Sequence, residues 1–158
     1  MKKLFILMTG LLIGSGLQAQ SNKEDIDIIQ GAQGKGKKEV MASFVQLTGA
    51  PSDAFWKLYD AYETERKSLG LKRIDVLQRY ADGYGTMDEA QLDKLMKEIQ
   101  SLQANTDKLI VKYYGKIKKE AGVKAASQFY ELEGYFLSVI RCTILENIPF
   151  IGELDEKW

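Results

Sequence analysis

The chain has no histidine, one cysteine and two prolines among its 158 residues. The absence of histidine excludes the Glu-x-x-His motif of di-iron helical bundles, the cysteine–histidine sites that hold zinc and the Ser–His–Asp arrangement of acyl transfer. A single cysteine excludes an internal disulfide. Cys142 lies in the apolar stretch FLSVIRCTILENI, which favours a buried thiol that fills space in the core; an intermolecular disulfide and a reactive thiol are the alternatives.

The chain also lacks an excess of charge and a phosphate-binding loop. Its 22 basic and 22 acidic side chains cancel, so it has no general electrostatic affinity for nucleic acid. The glycines of GAQGKG at residues 31–36 neither follow a strand pattern nor show the spacing of a nucleotide-binding loop. We therefore predict that the protein binds no nucleic acid and needs no cofactor or metal.

Two pairs of carboxylates are the remaining candidates for chemistry. Glu63 and Glu65, like Glu131 and Glu133, are two positions apart, which places the members of each pair on different faces of a helix. The spacing predicts four solvated surface groups rather than a general acid–base pair. We therefore predict that the protein is not an enzyme; an unrecognised carboxylate site is the alternative.

The first twenty residues have the layout of a secretory signal peptide. A positively charged start precedes an apolar run over residues 4–13, and small residues follow it. The run is shorter than the about 20 residues that span a bilayer. We therefore predict that residues 1–20 are removed by cleavage near Ala19 or Gln20, and that the protein is exported to the periplasm; a retained anchor is the alternative.

The rest of the pattern predicts an all-α fold. Residues 21–36 carry glycines and lysines with few apolar positions, which indicates a flexible N-terminal arm. Residues 37–47 have the spacing of a short amphipathic helix, and the stretches 51–82, 88–119 and 123–147 have the spacing of long ones.

The two central helices are predicted to form a long antiparallel hairpin. The glycine-containing loop ADGYGTMDEAQ joins them, with Thr86 or Asp88 as the cap of the second helix. With the short N-terminal and the long C-terminal helix, the hairpin forms a single helical domain over residues 37–158. The second hairpin helix carries a coiled-coil-like seam at Leu92, Leu95, Ile99, Leu102, Thr106, Leu109, Tyr113 and Ile117.

Aromatic and basic side chains are more numerous than one seam needs. Filling of the core explains the rings, but tyrosine also suits a partly exposed surface. The lysines between residues 108 and 119 complement the dipole at the end of a helix, or they form a basic rim that attracts acidic proteins or an anionic membrane surface. As residues that contact a bound protein chain we predict Tyr59, Tyr62, Arg66, Arg73 and Tyr113.

Two stretches of the sequence resemble a known family. Leu47-Thr48 opens LTGAPSDAFWKLYDAYETERK, and FYELEGYFLSVIRCTILENIPFIGEL closes the helical part. Both are similar to Spy/CpxP-like periplasmic proteins, whose signature is an LTxxQ-type motif at the start of a helix, and in particular to a divergent form in exported Bacteroidetes proteins. The similarity covers most of residues 38–154. The sequence departs from the motif, because Ala50 or Ser52 stands where glutamine is expected and no second copy is present.

The resemblance implies a homodimer with a cradle-shaped concave face that acts as an ATP-independent chaperone or as an inhibitor in envelope-stress signalling. Some members sense metals through histidine and methionine, which the absence of histidine disfavours here. Our first hypothesis is an exported protein that holds unfolded or envelope proteins on an aromatic and basic face. The second is a periplasmic regulator that docks on a sensor or an anti-sigma-type partner. A peripheral membrane contact is compatible with both.

Overall fold

The structure is a computed structural model that describes residues 36–147. This range is helical and contains no strand, which confirms the all-α prediction. No helix within it is both long enough and apolar enough to cross a bilayer. The four helices are α1 (Lys37–Phe44), α2 (Ala50–Gly83), α3 (Glu89–Ala121) and α4 (Val123–Asn147).

The predicted helices match these four within a few residues. Only the first was predicted too long: it ends at Phe44, because Val45 leaves the helical region with φ −92° and ψ 84°. The predicted signal peptide and nearly all of the predicted N-terminal arm, residues 1–35, lie outside the described residues, as do residues 148–158.

α2 begins at a glycine turn. Gly49 has a φ of 64°, a conformation that glycine adopts without strain. Its carbonyl accepts a hydrogen bond from the N–H of Ser52 at 2.9 Å. Pro51 stands in the first turn of the helix, where its missing N–H leaves no intrahelical bond unmade.

The hairpin loop ends in a capping box. Oδ1 of Asp88 accepts a hydrogen bond from the N–H of Gln91 at 2.8 Å, and the N–H of Asp88 donates to Oε1 of Gln91 at 3.0 Å. Two N–H groups at the start of α3 are thereby satisfied. Of the two caps that the sequence offered, Asp88 is the one used.

α2 and α3 pack as the predicted antiparallel hairpin. Midway along α2, Glu65 binds Lys112 in the second half of α3, with 2.6 Å between Oε2 and Nζ. Towards the loop, Arg79 of α2 pairs with Glu98 of α3. The partners therefore run in opposite directions along the two helices.

α4 turns back along α3 after Gly122, whose φ is 92°. The rings of Tyr114 on α3 and Tyr130 on α4 meet edge to face with 5.9 Å between their centroids. Short α1 packs against α4 near the open end of the hairpin, and its Lys37 also reaches Glu63 of α2.

The main hydrophobic core lies at the open end of the hairpin. Tyr62 of α2 packs edge to face on Phe129 of α4 at 5.0 Å and on Tyr113 of α3 at 5.5 Å. Offset and edge-to-face ring pairs of this kind contribute roughly 0.5–1.5 kcal/mol each beyond the area they bury. The other large buried side chains of this cluster are Met41, Phe55, Tyr59, Ile117, Phe136 and Ile140.

A second, smaller cluster lies near the hairpin loop. Its buried members are Val76, Tyr80 and Leu95. The apolar seam predicted for α3 is regular in sequence, but its residues are not all buried in the structure. Leu95, Leu109, Tyr113 and Ile117 are buried, whereas Ile99, Leu102 and Thr106 between them are only half-buried. The core is therefore divided in the middle of the hairpin.

Candidate functional site

A lysine is buried where α1 meets the hairpin. The side chain of Lys37 is 6% exposed, and its Nζ donates to Oε1 of Glu63 at 2.6 Å and to Oε2 of Glu133 at 2.7 Å. The guanidinium of Arg66 also donates to both oxygens of Glu63 at 3.1 Å. Two cations and two carboxylates therefore share one buried site, which we call the Lys37 cluster.

Aromatic side chains close the Lys37 cluster. The hydroxyl of Tyr62 donates to Oε2 of Glu133 at 2.6 Å. Nζ of Lys37 lies 5.3 Å from the ring centroid of Tyr62 and 5.4 Å from that of Phe136, within the range of cation–π attraction. Within residues 36–147, Oε1 of Glu133 and the hydroxyl of Tyr59 are buried without a hydrogen-bond partner. Such groups cost about 1–3 kcal/mol each.

The pKa values of the two carboxylates in the Lys37 cluster shift in opposite directions, although burial raises both. Burial raises the pKa of Glu63, but the charges of Lys37 and Arg66 outweigh it and bring the pKa down to about 2. Burial also raises the pKa of Glu133, and the attraction of Lys37 does not overcome it. Desolvation likewise holds the pKa of Tyr62 well above its usual range.

The Lys37 cluster corrects the prediction that these glutamates are surface groups. Glu133 is 1% exposed and the side chain of Glu63 is 19% exposed. Only Glu131 and Glu65 of the four lie at the surface. The cluster is enclosed by rings and its charges balance. Its geometry therefore suits a structural role, in which it holds α1 against α2 and α4. Among the described residues no group of three or more potential ligand side chains could hold a metal ion.

The three tyrosines predicted as contact residues are buried in this fold. Tyr59, Tyr62 and Tyr113 are among the most deeply buried side chains, because they fill the space between α2, α3 and α4. They cannot touch a bound protein chain without unfolding of the core. The other explanation of these rings, that they fill the core, is the one observed.

The two predicted arginines border a cleft between the three long helices. Arg66 is buried and Arg73 is half-buried on α2, and Arg141 of α4 lies opposite. The cleft has a volume of about 210 Å³ and apolar walls. We call it the three-arginine cleft.

A second depression lies between α1 and α4. Its volume is about 420 Å³, and its rim carries two exposed rings, Phe44 of α1 and Tyr135 of α4. Gln128 of α4 donates to the carbonyl of Phe44 at 2.8 Å, which fixes the end of α1 beside the depression. Val40 and Leu132 form its floor, and Glu131 adds a carboxylate. We call it the α1–α4 groove.

The predicted basic rim is partly engaged within the chain. Lys112 binds Glu65, and Nζ of Lys116 lies 4.7 Å from the ring centroid of Tyr113. The hydroxyl of Tyr113 donates to the same carboxylate of Glu65 at 2.8 Å. Lys118 and Lys119 lie exposed in the last turn of α3, where they complement the helix dipole.

Cys142 is exposed, which corrects the prediction of a buried thiol. It lies two residues beyond Ile140, on the opposite side of α4 from the buried stripe. Its Sγ donates to Oε1 of Glu146 at 3.4 Å. That hydrogen bond and the charge of Glu146 raise the pKa of the thiol.

Comparisons with known proteins find no match: no family model, no curated protein and no solved structure resembles the chain closely enough to be assigned.

Proposed function

We propose that this protein is an exported periplasmic binding protein that holds unfolded or envelope proteins without a nucleotide. The observation that carries the proposal is the α1–α4 groove, where Phe44 and Tyr135 stand exposed beside a depression of about 420 Å³. This groove replaces the aromatic face of Tyr59 and Tyr62, which are buried.

The chemistry of the groove suits segments of varied sequence. Phe44 is 56% exposed and Tyr135 is 43% exposed, and exposed rings that border a depression are typical of protein-binding surfaces. Ring faces provide a large contact area without demanding a fixed hydrogen-bond geometry. A client with one or two apolar side chains would place them between the rings.

The resemblance to Spy/CpxP-like proteins supports the export, the envelope-stress setting and a homodimer. The exposed lysines at the end of α3, Lys118 and Lys119, support a peripheral contact with an anionic membrane surface. The proposal requires no catalytic group and no cofactor.

A second candidate is a regulator that docks on one sensor or anti-sigma-type partner. The polar groups at the same groove favour it, because Glu131 and Gln128 can impose a hydrogen-bond pattern on a single partner. A regulator would bind that partner stoichiometrically and would have little effect on generic unfolded proteins.

The test is the aggregation of a chemically denatured model enzyme, with and without an equimolar amount of the full chain and without nucleotide. We expect suppression by the wild type and at least a halving of it by the variant with Phe44→Ser and Tyr135→Ser. Val111→Ser is the matched control, because Val111 is 57% exposed on α3, away from the groove.

The helix content of each variant, measured by circular dichroism, must equal that of the wild type. Absence of suppression with several client enzymes would overturn the chaperone proposal. Capture of one stoichiometric envelope protein that the double variant fails to bind would then support the regulator.

A further inference from the structure

The three-arginine cleft lies where the core of the hairpin is divided. On one side are members of the main cluster, and on the other are members of the cluster near the loop. The half-buried seam positions of α3 face this space. Its apolar walls come from all three long helices, at Leu69, Val76, Ile99, Leu102, Leu137 and Ile144.

A glycine in α2 contributes to the unfilled space of the three-arginine cleft. Gly70 lines the cleft and has no side chain to fill it, whereas Leu69 and Val76 border it on the same helix. Seam positions usually carry large apolar side chains that interlock. A buried glycine at this position, opposite Ile99 and Leu102, leaves unfilled apolar space.

Arg73 and Arg141 give the cleft its charge, because the guanidinium of Arg66 is bonded to Glu63 in the Lys37 cluster. Arg66 and Arg73 are seven residues apart and therefore lie on one face of α2, two turns from each other. Nη2 of Arg141 lies 3.6 Å from Oδ1 of Asp107, and its side chain is 44% exposed. None of the residues that line the cleft is acidic.

Apolar walls with guanidinium groups and no lining carboxylate match a ligand that has an aliphatic chain and one anionic head group. Guanidinium groups bind carboxylates with paired hydrogen bonds. An apolar cavity of roughly 150 Å³ already binds benzene, so about 210 Å³ has room for one aliphatic chain but not for the two chains of a phospholipid.

We propose that the three-arginine cleft binds a free fatty acid. The aliphatic chain lies between Leu69, Ile99 and Leu137, and the carboxylate meets the guanidinium groups of Arg73 and Arg141. This site is separate from the α1–α4 groove and does not depend on chaperone activity.

The test is calorimetric titration of the full chain with dodecanoate below its micelle concentration. Dodecanol and dodecyltrimethylammonium have the same aliphatic chain with a neutral and a cationic head group. We expect one dodecanoate per chain and at least tenfold weaker binding of the other two. Equal binding of all three would overturn the proposal, because it would indicate a general apolar surface.

Two kinds of variant locate the site. Arg73→Gln and Arg141→Gln should each weaken dodecanoate binding several-fold, and Leu102→Gln should weaken all three ligands. Arg79→Gln is the matched control, because Arg79 is on the same helix but pairs with Asp75 and Glu98 outside the cleft. Circular dichroism checks that every variant is folded. Unchanged affinity in both arginine variants would overturn the assignment.

The remaining outcomes identify other occupants. Retention of the wild type on phosphatidylglycerol vesicles, without binding of free dodecanoate, would replace the fatty acid by a lipid surface. Dissociation of a wild-type dimer by Leu102→Gln, again without dodecanoate binding, would make the cleft an interface between two copies. Both results overturn the proposal, and neither bears on suppression of aggregation through Phe44 and Tyr135.

Discussion

The ammonium nitrogen of Lys37 lies 2.7 Å from Oε2 of Glu133, although 96 residues separate them along the chain. The same nitrogen is 2.6 Å from Oε1 of Glu63. One cation therefore joins α1, α2 and α4. Glu63 and Glu133 compete for the ammonium group of Lys37. The position of α1 is therefore coupled to the ionisation of these two buried carboxylates.

Replacement of Lys37 by methionine should destabilise the fold. The change leaves Glu133 buried with Tyr62 as its partner, and breaking a buried ion pair costs about 3–5 kcal/mol. We expect a decrease near 3 kcal/mol in the free energy of unfolding, because Glu133 can take up a proton and limit the loss. Urea unfolding followed by circular dichroism measures it.

Lys38→Met is the control for that variant. Lys38 pairs with Asp60 at the surface, where both side chains are about 60% exposed, so the loss should stay below about 1 kcal/mol. The double variant Lys37→Met with Glu133→Leu should recover part of the stability, since it removes the carboxylate as well. Equal losses for Lys37→Met and Lys38→Met would mean that the Lys37 cluster contributes nothing specific.

The stability of the fold should depend on pH in two opposite ways. The pKa of Glu63 falls on folding from 4.5 to about 2, so its contribution is present above pH 4.5 and is lost as the pH falls towards 2. The pKa of Glu133 rises on folding, so the folded state is favoured by its protonation and loses stability as the pH rises from 4.5 through the folded-state pKa. Together these two groups give a maximum near pH 4.5.

Glutamine variants separate the two effects. Glu63→Gln should remove part of the loss on the acid side, whereas Glu133→Gln should remove the decline above pH 4.5. The urea midpoint measured between about pH 3 and pH 8 reports both slopes. If Glu133→Gln left the slope above pH 4.5 unchanged, the raised pKa of Glu133 would be wrong.

Removal of the cap of α3 should cost about 1 kcal/mol. Asp88→Ala removes the acceptor for the N–H of Gln91, which lies 2.8 Å from Oδ1. Asp88→Asn keeps a side-chain oxygen and should be nearly neutral. Asp93→Ala is a suitable control, because Asp93 is exposed on the same helix and pairs only with Lys97 among the interactions described. Thermal and urea unfolding of the three variants give the comparison.

Cys142 should react with iodoacetamide in the folded chain without denaturant, because it is exposed. The reaction at neutral pH should be slower than that of free cysteine, since the hydrogen bond to Glu146 raises the pKa of the thiol. Glu146→Gln should accelerate it. Mass spectrometry of the labelled chain follows the rate, and a requirement for urea would restore the prediction of a buried thiol.

The helices could be read from the sequence because they depend on local signals. Glycines separate them, Pro51 and Asp88 mark two helix starts, and the predicted last helix has the bounds observed for α4. Each of these features acts within a few residues of where it stands. No knowledge of the distant chain is needed to recognise it.

The helical spacing of the sequence also places two charged residues, Glu133 and Arg66, on buried faces. Their charge nevertheless favoured a prediction of exposure. Glu133 follows Phe129 by four residues and precedes Phe136 by three, so it lies on the buried stripe of α4. Arg66 follows Tyr62 by four in the same way on α2. Charged residues are almost never fully buried without a partner. The partner of Arg66, Glu63, is only three residues before it, but the partner of Glu133, Lys37, is 96 residues away in sequence.

That partner is the part that local patterns do not encode. Lys37 heads a helix of eight residues that is amphipathic but otherwise unremarkable in sequence. Its role depends on the approach of α1 to both α2 and α4. The three-arginine cleft is similar, since the seam of α3 is regular in sequence and only the arrangement of three helices leaves its middle uncovered.

The divided core has a consequence for how the hairpin opens. Beyond the cleft, Val76, Tyr80 and Leu95 are the buried residues that hold the loop end together, whereas a far larger set encloses Tyr62 at the other end. Local opening is opposed chiefly by buried apolar contacts. Amide protons near the loop should therefore exchange with solvent through partial separation of α2 and α3, while those around Tyr62 exchange only when the whole chain unfolds.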